Sequence, residues 1–268
     1  MTRRLSLSHQ TKYVYGRPVP YGLQQVRLTP KAGQGQKVHR WEMDVQGGRI
    51  QAKFEDQHNN HVLLISTDAD TQEITVQCSG EIELDDESGI VGLHRGPLPL
   101  WFFLRSSDLT KPGPSIRALV KQLDTALEED IPKLHALSAL ISESVSYNKG
   151  ETDAQTSAEA AMSAGKGVCQ DHAHIFVSAA RLLGYPARYV SGYMLMHDRT
   201  DQEAGHAWAE AHVPHLGWVG FDISNQKSPD DDHIRVATGL DYTEAAPISG
   251  LVMGGNIESL TVSLQVQQ

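Results

Sequence analysis

Apolar and polar positions alternate in short runs through the first hundred residues. In "EITVQCSGEIEL", Ile74, Val76, Cys78, Gly80, Ile82 and Leu84 fall on one face and mostly polar residues on the other. That two-residue period is the mark of a half-buried strand. "LSLSHQTKYVYG", "GLQQVRLTP", "KVHRWEMDVQG", "RIQAKFED" and "HVLLISTD" have the same strand composition, and Gly, Pro, Asn and Asp punctuate them. Such spacing predicts an antiparallel sandwich or barrel. From Gly92 to Pro114 the pattern fails, and a Pro- and Gly-rich linker is expected, with Leu100 to Leu104 packing somewhere.

The period then changes. Ile116, Leu119, Val120, Leu123 and Leu127 form one helical stripe. Leu134, Leu137, Ile141 and Val145 form another, with Pro132 in its first turn. "TSAEAAMSAG" has Thr156 and Glu159 at capping-box spacing and Gly165 just past the end. From Cys169 onward, Ala173, Phe176, Val177, Ala180 and Leu183 predict a helix that Gly184 and Pro186 stop. Three strands follow: "ARYVSGYMLM", "HAWAEAHV" and "GWVGFDIS". The acidic run Asp230 to Asp232 reads as a solvated loop, and "SLTVSLQVQQ" as a last strand. No internal repeat is present. The chain therefore reads as α+β: an N-terminal antiparallel β-sandwich-like domain over residues 1–105, then a helix-and-sheet core over 106–268 that ends in a C-terminal strand.

Composition narrows the function classes. With 268 residues, 40% hydrophobic and 21% charged, the chain is an ordinary globular one. No apolar run is long enough to span a membrane, and the basic N-terminus lacks the apolar stretch of a secretory signal, so no membrane partner is expected. A net charge of −10 argues against nucleic acid. Two cysteines cannot build a disulfide framework, which points to a reducing, cytoplasmic compartment.

The two cysteines differ in setting. Cys78 lies on the apolar face of a strand and reads as a small hydrophobe. Cys169 falls in the first turn of a helix, behind Gly165 and Gly167. There the free backbone N–H groups and the helix dipole favour a thiolate, and small neighbours leave room for a substrate backbone. Asp171 works slightly against that charge, so a basic partner is needed. Such a nucleophile needs a histidine, and the histidine an orienting group. Among 13 histidines, His206 opens a strand directly after the polar loop "HDRTDQEAG". On that strand His206, Trp208 and Glu210 share one face and three alanines the other. Asp222 ends the next strand. If the two strands form a hairpin with a loop of odd length, His206 and Asp222 share a face within hydrogen-bonding reach. A four-residue loop would put Asp222 on the wrong face.

"GKGVCQDHAHIFVSAARLLGYPARYVSGYM" followed by "HAWAEAHVPHLGWVGFDISN" closely resembles the core of the transglutaminase-like superfamily of bacterial thiol enzymes. The stretches "HQTKYVYGRPV" and "VRLTPKAGQGQ" are similar to the β-rich region preceding that core in many bacterial members. The resemblance implies a papain-like fold and a Cys–His–Asp triad, with Cys169 as nucleophile, His206 as base and Asp222 as orienting acid. His172, where Phe is common, and "DISN", where "DPTN" is frequent, are departures outside the triad. The implied chemistry is attack on the amide or peptide bond of a protein or peptide substrate through a thioester. Hydrolysis is favoured; transfer to an amine, or a non-catalytic binding module, are the alternatives.

Other residues have plainer roles open to them. His172, His174, His197, His206, His212 and His215 cluster in sequence, but neither CxxC nor HExxH occurs, so no metal and no cofactor is expected. Trp208 and Tyr193 are candidate substrate-binding residues, each against the alternative of core packing. Glu210 reads as a structural ion-pair partner. The Cys169 N–H is the natural first oxyanion donor, and Tyr147 or Asn148 the candidate second.

Overall fold

The computed structural model describes residues 2–123, 127–254 and 256–268. The first hundred residues form β1 (Thr2–Val19), β2 (Tyr21–Val26), β3 (Gln36–Gln46), β4 (Gly48–Glu55), β5 (His61–Thr67) and β6 (Thr71–Asp85), the six strands that the alternation predicts. A short β7 (Ile90–Gly92) and a 3-10 turn over Leu100–Leu104 follow. Then come α1 (Pro114–Val120), α2 (Asp130–Ser144), β8 (Ser146–Tyr147), α3 (Ala158–Ala164), β9 (Lys166–Gly167) and α4 (Cys169–Leu182). The remainder is β10 (Ala187–Met194), β11 (Asp201–Gln202), β12 (His206–Val213), β13 (Gly217–Phe221), β14 (His233–Gly239), α5 (Tyr242–Ala245), β15 (Ile248–Met253) and β16 (Ile257–Gln267). The fold is mostly antiparallel sheet with few helices, and no helix among the described residues is long and apolar enough to cross a membrane.

Three sheets carry it. The order β11-β16-β1-β6-β3 makes one, β15-β2-β5-β4 the second, and β14-β10-β12-β13-β7 the central one. The strands cross the compositional division at residue 105. β16 pairs with β1 from Ser6 to Tyr15, β15 pairs with β2, and β7 joins the central sheet beside β13. One continuous core takes Leu5, Ile74 and Ile82 from the first sheet, Val26 and Ile65 from the second, and Phe176, Ala209 and Phe221 from the central sheet and its helix.

The central sheet is built around α4, which packs on β10 and β12. Ala207, Ala209 and Ala211 are all buried against it, their small side chains letting helix and strand approach. Phe176 of α4 stacks on Phe221 of β13 at 5.0 Å.

Several sequence expectations change. The stripe from Ile116 to Leu127 does not make one helix: α1 ends at Val120, and residues 124–126 lie outside the described residues. Ser157, not Thr156, caps α3, its Oγ accepting from Ala160 N at 3.2 Å. Glu159 turns instead to α1 and accepts from the backbone N–H groups of Gly113, Ser115 and Ile116 at 2.8–3.2 Å. A carboxylate there meets the orphan donors and the positive end of the dipole. The segment before α1 is no free linker. Arg181, buried, donates to Phe103 O, Thr110 Oγ1, Ala187 O and Leu240 O at 2.8–3.2 Å, and Phe103 packs on Trp218.

Candidate active site

Cys169 opens α4 and is half-buried. Asp171, two residues on, does not face the thiol as a free charge. Its Oδ2 accepts from Val168 N at 2.8 Å and from Thr152 Oγ1 at 2.7 Å, closing the helix start. Burial raises its carboxyl above the usual range, and those hydrogen bonds only partly offset that. Gly167 permits the closure: a Cβ there would lie 2.7 Å from Asp171 Cβ. Gly165 takes the left-handed conformation, φ +65°, that ends α3. The two glycines therefore serve the backbone around the cysteine.

β12 and β13 are joined by a three-residue turn over 214–216, and Ala209 pairs with Phe221. The loop is odd, as the shared-face argument requires. His206 Nε2 lies 2.7 Å from Asp222 Oδ2. The ring's other nitrogen is left for Cys169. Burial, the largest single effect, pulls the His206 imidazole down. Hydrogen bonds and opposite charge from Asp222 and Cys169 outweigh it and hold the imidazolium up to about 10. Asp222 is fully buried, which alone would raise its carboxyl; the hydrogen bonds and charge of His206 and His233 hold it well below the usual carboxylate range.

Two residues of this site were missed in the sequence. His233, on β14, donates from Nε2 to Asp222 Oδ2 at 3.0 Å. Its Nδ1 accepts from Asp230 N at 3.1 Å in the neutral ring, or donates to Asp230 Oδ1 at 2.8 Å when protonated. Asn225 donates from Nδ2 to Asp222 Oδ2 at 2.7 Å and from its backbone N to Oδ1 at 3.2 Å. An Asp followed three residues later by Asn is a recognisable turn signal and could have revealed Asn225. His233 gives no local signal, because its strand lies in a stretch that reads as loop.

The acidic run is not a solvated loop. Asp231 pairs with Arg3 at 3.2 Å, Asp232 with Arg3 and with His197 at 2.9 Å, and Asp230 with Lys227 at 2.7 Å. These ties bind the start of β1 to the segment that supports Asp222.

Tyr147 stands beside the nucleophile. β8 pairs with β9 so that Tyr147 lies opposite Gly167, two residues before Cys169. Burial and the adjacent Cys169, through its charge and a hydrogen bond, push the phenol up to about 12. His172 is locked away from the thiol. Its Nε2 donates to Val145 O and its Nδ1 accepts from Ser224 Oγ, both at 2.9 Å. His174 is buried deeper, stacks near Tyr189 at 4.9 Å and accepts from Tyr242 N.

Neither candidate substrate-binding residue offers an open face to the triad. Trp208 is 2% exposed; it packs beside His206 and His233, at 6.0 and 5.4 Å between ring centres. Tyr193 is 3% exposed, and its hydroxyl is tied to His9 Nδ1 at 2.8 Å across to β1. In Trp208 the side chain sits behind the site as support, and in Tyr193 between two sheets. Glu210 takes the ion-pair role its sequence suggests, with Arg188 and Arg235, each at 2.6 Å.

Among the described residues, His206, Asp222 and His233 bring three potential metal-binding atoms within 4.8 Å of one another, as do Asp230, Asp231 and Asp232. In the first group the atoms converge on one carboxylate oxygen at hydrogen-bond lengths, a geometry filled by protons.

The comparisons agree with this architecture. The family model for the transglutaminase-like superfamily core matches residues 117–223, which include Cys169, His206 and Asp222, and that for the bacterial transglutaminase-like N-terminal region matches residues 5–83. The chain belongs to the transglutaminase-like superfamily. An uncharacterized protein of Mycobacterium leprae is 27% identical over an alignment of 278 positions, covering 98% of each chain. An uncharacterized protein of Mycobacterium tuberculosis is 30% identical over 143 residues, half of this chain and 45% of its own length. The solved structure of a candidate cysteine protease from Cytophaga hutchinsonii superposes with a TM-score of 0.77 at 19% identity, over 100% of this chain and 93% of that one. It shares the fold.

Proposed function

We propose that this protein is a thiol enzyme that cleaves amide or peptide bonds of a protein or peptide substrate. Cys169 is the nucleophile, His206 the base and Asp222 the orienting acid. His206 takes the thiol proton, and the thiolate attacks the carbonyl carbon. The amine or ammonia leaves with the proton returned by His206, and a thioester remains on Cys169. Water, deprotonated by the same imidazole, attacks the thioester and frees the acid. In this reading the Cys169 N–H and the Tyr147 hydroxyl receive the developing oxyanion.

The observation that carries hydrolysis over amine transfer is the exposure of the site. Cys169 is half-buried and Tyr147 beside it is 49% exposed, so water has access to a thioester there. The two free cysteines fit a reducing, cytoplasmic setting.

The test is to incubate the protein with a peptide mixture and an excess of a fluorescent primary amine. Hydrolysis yields new termini or deamidated side chains and no label. Incorporated amine would make it a transferase. No turnover, with function retained in Cys169→Ala, would leave a binding module.

A further inference from the structure

The connection from β10 to β12, over residues 195–205, ends at His206 and so sets where the base stands. From His197 onward it is exposed except at Gln202. Its start is held by one residue. Leu195 N donates to Asp232 O at 2.9 Å, and His197 Nε2 lies 2.9 Å from Asp232 Oδ2. Asp232 also reaches the support of the orienting acid. Its backbone N donates to Asp230 Oδ1 at 3.1 Å, the oxygen that lies 2.8 Å from His233 Nδ1. His233 N donates to Asp230 O at 3.0 Å and closes the turn. One residue thus touches both the loop that delivers His206 and the turn that presents His233 to Asp222.

That turn contains a repulsion. Asp230, Asp231 and Asp232 each bring a carboxylate oxygen within 4.8 Å of the others. Like charges so close spread apart or take up a proton. Two cations oppose this. Lys227 Nζ lies 2.7 Å from Asp230 Oδ2 and 3.9 Å from Asp232 Oδ2. Arg3 closes the other side, its Nε 3.2 Å from Asp231 Oδ2 and its Nη1 bonded to Asp232 Oδ1. Arg3 is fixed to the N-terminal sheet: it pairs with Leu84 of β6, and Leu5 and Leu7, on the same face of β1, are buried in the core. The Arg3 side chain is 24% exposed and that of Asp232 10%. A pair so covered is screened less than one on the open surface.

We propose that Asp232 is a positioning residue for His206 and that Arg3, from the N-terminal sheet, holds it in place. The inference rests on the reading of Cys169, His206 and Asp222 as a triad. Neither residue touches substrate. With Arg3 paired, the acidic turn stays closed, and Leu195 and His197 keep their acceptors. Without Arg3 the turn opens, the loop loses its anchor, and the imidazole moves off the thiol.

The test is the rate of Cys169 alkylation by iodoacetamide against pH in the full chain, which needs no substrate, with thermal unfolding measured beside it. Arg3→Gln and Asp232→Asn are each expected to slow labelling below pH 7 by about tenfold, the scale of one lost hydrogen bond between charged groups. The labelling midpoint should rise by about one pH unit. Arg3→Lys keeps the charge and is expected to restore most of the rate. The double variant Arg3→Gln, Asp232→Asn should label no more slowly than the slower single variant, because both act through one contact. Arg3→Gln changes a partly exposed side chain and carries the test should Asp232→Asn fail to fold. Wild-type labelling in the folded variants overturns the proposal and leaves the triad reading standing. A lower melting temperature with an unmoved labelling profile makes the contact merely structural and overturns it too, as do additive losses in the double variant. If the wild type itself labels as an ordinary thiol, and His206→Ala does the same, the triad reading falls and this proposal with it.

Discussion

His206 and His233 converge on the same oxygen, Asp222 Oδ2, at 2.7 and 3.0 Å from strands on opposite sides of β10. Asn225 Nδ2 donates to that oxygen as well. A carboxylate held by so many donors stays ionised and fixed in orientation, which is what an imidazole base needs from its partner.

His233 is therefore a positioning residue. His233→Ala should lower turnover about tenfold with little change in KM, on the scale of one buried hydrogen bond to a charge. Asp222 would lose a donor and its carboxyl would rise, so the acid limb of the activity profile should move to higher pH. His233→Gln should restore much of the rate. A loss of thermal stability without movement of that limb would make the role merely structural.

Asp222→Asn removes the charge and keeps the shape. Turnover should fall by about 10²- to 10⁴-fold, the usual worth of positioned general-base catalysis. Wild-type stability should also depend on pH in two directions. His206 is held at about 10 against an ordinary 6.5. Its contribution is full below the ordinary value and fades as pH rises towards 10. The Asp222 carboxyl is held low, so its contribution is full above the ordinary 3.8 and fades as pH falls further. At about 1.4 kcal/mol per unit, the alkaline loss is on the order of a few kcal/mol. Urea titrations at several pH values should show it in the wild type and not in His206→Gln.

Tyr147→Phe keeps the ring and removes the hydroxyl beside Cys169. If that hydroxyl meets the oxyanion, kcat should fall by about 10²-fold with KM preserved. Steady-state kinetics on a cleaved peptide decides it; an unchanged kcat would leave the Cys169 N–H to act without it.

Gly167→Ala tests the support of the helix start. The added Cβ meets Asp171 Cβ at 2.7 Å and Oδ2 at 2.8 Å. Asp171 must then move, and Val168 N loses its acceptor. A cost of about 1–3 kcal/mol in denaturant unfolding is expected, with slower alkylation of Cys169. A change within a few tenths would show that the loop yields freely.

Much of this was readable in the chain, for local reasons. Alternation over Ile74 to Leu84 located β6, the alanines at 207, 209 and 211 marked the face that meets α4, and the three-residue turn put His206 and Asp222 on one side. The missed parts depend on distant partners. Glu159 has good spacing for capping its own helix, but the stronger demand came from three free N–H groups on α1. β7 and β14 carry short alternations that mean little until a neighbouring strand pairs with them. The aromatic faces of Trp208 and Tyr193 gave no hint of whether cleft or core would cover them. Asp230 to Asp232 read as solvated because Arg3 is more than two hundred residues away.

The central claim is that Cys169 is activated by His206. The most direct measurement is the rate of Cys169 alkylation by iodoacetamide against pH, in wild type and in His206→Ala. The account predicts fast labelling well below pH 7 in the wild type, lost in the variant. Slow labelling that rises only near pH 8.5, as for an ordinary thiol, and is the same in both proteins would contradict it.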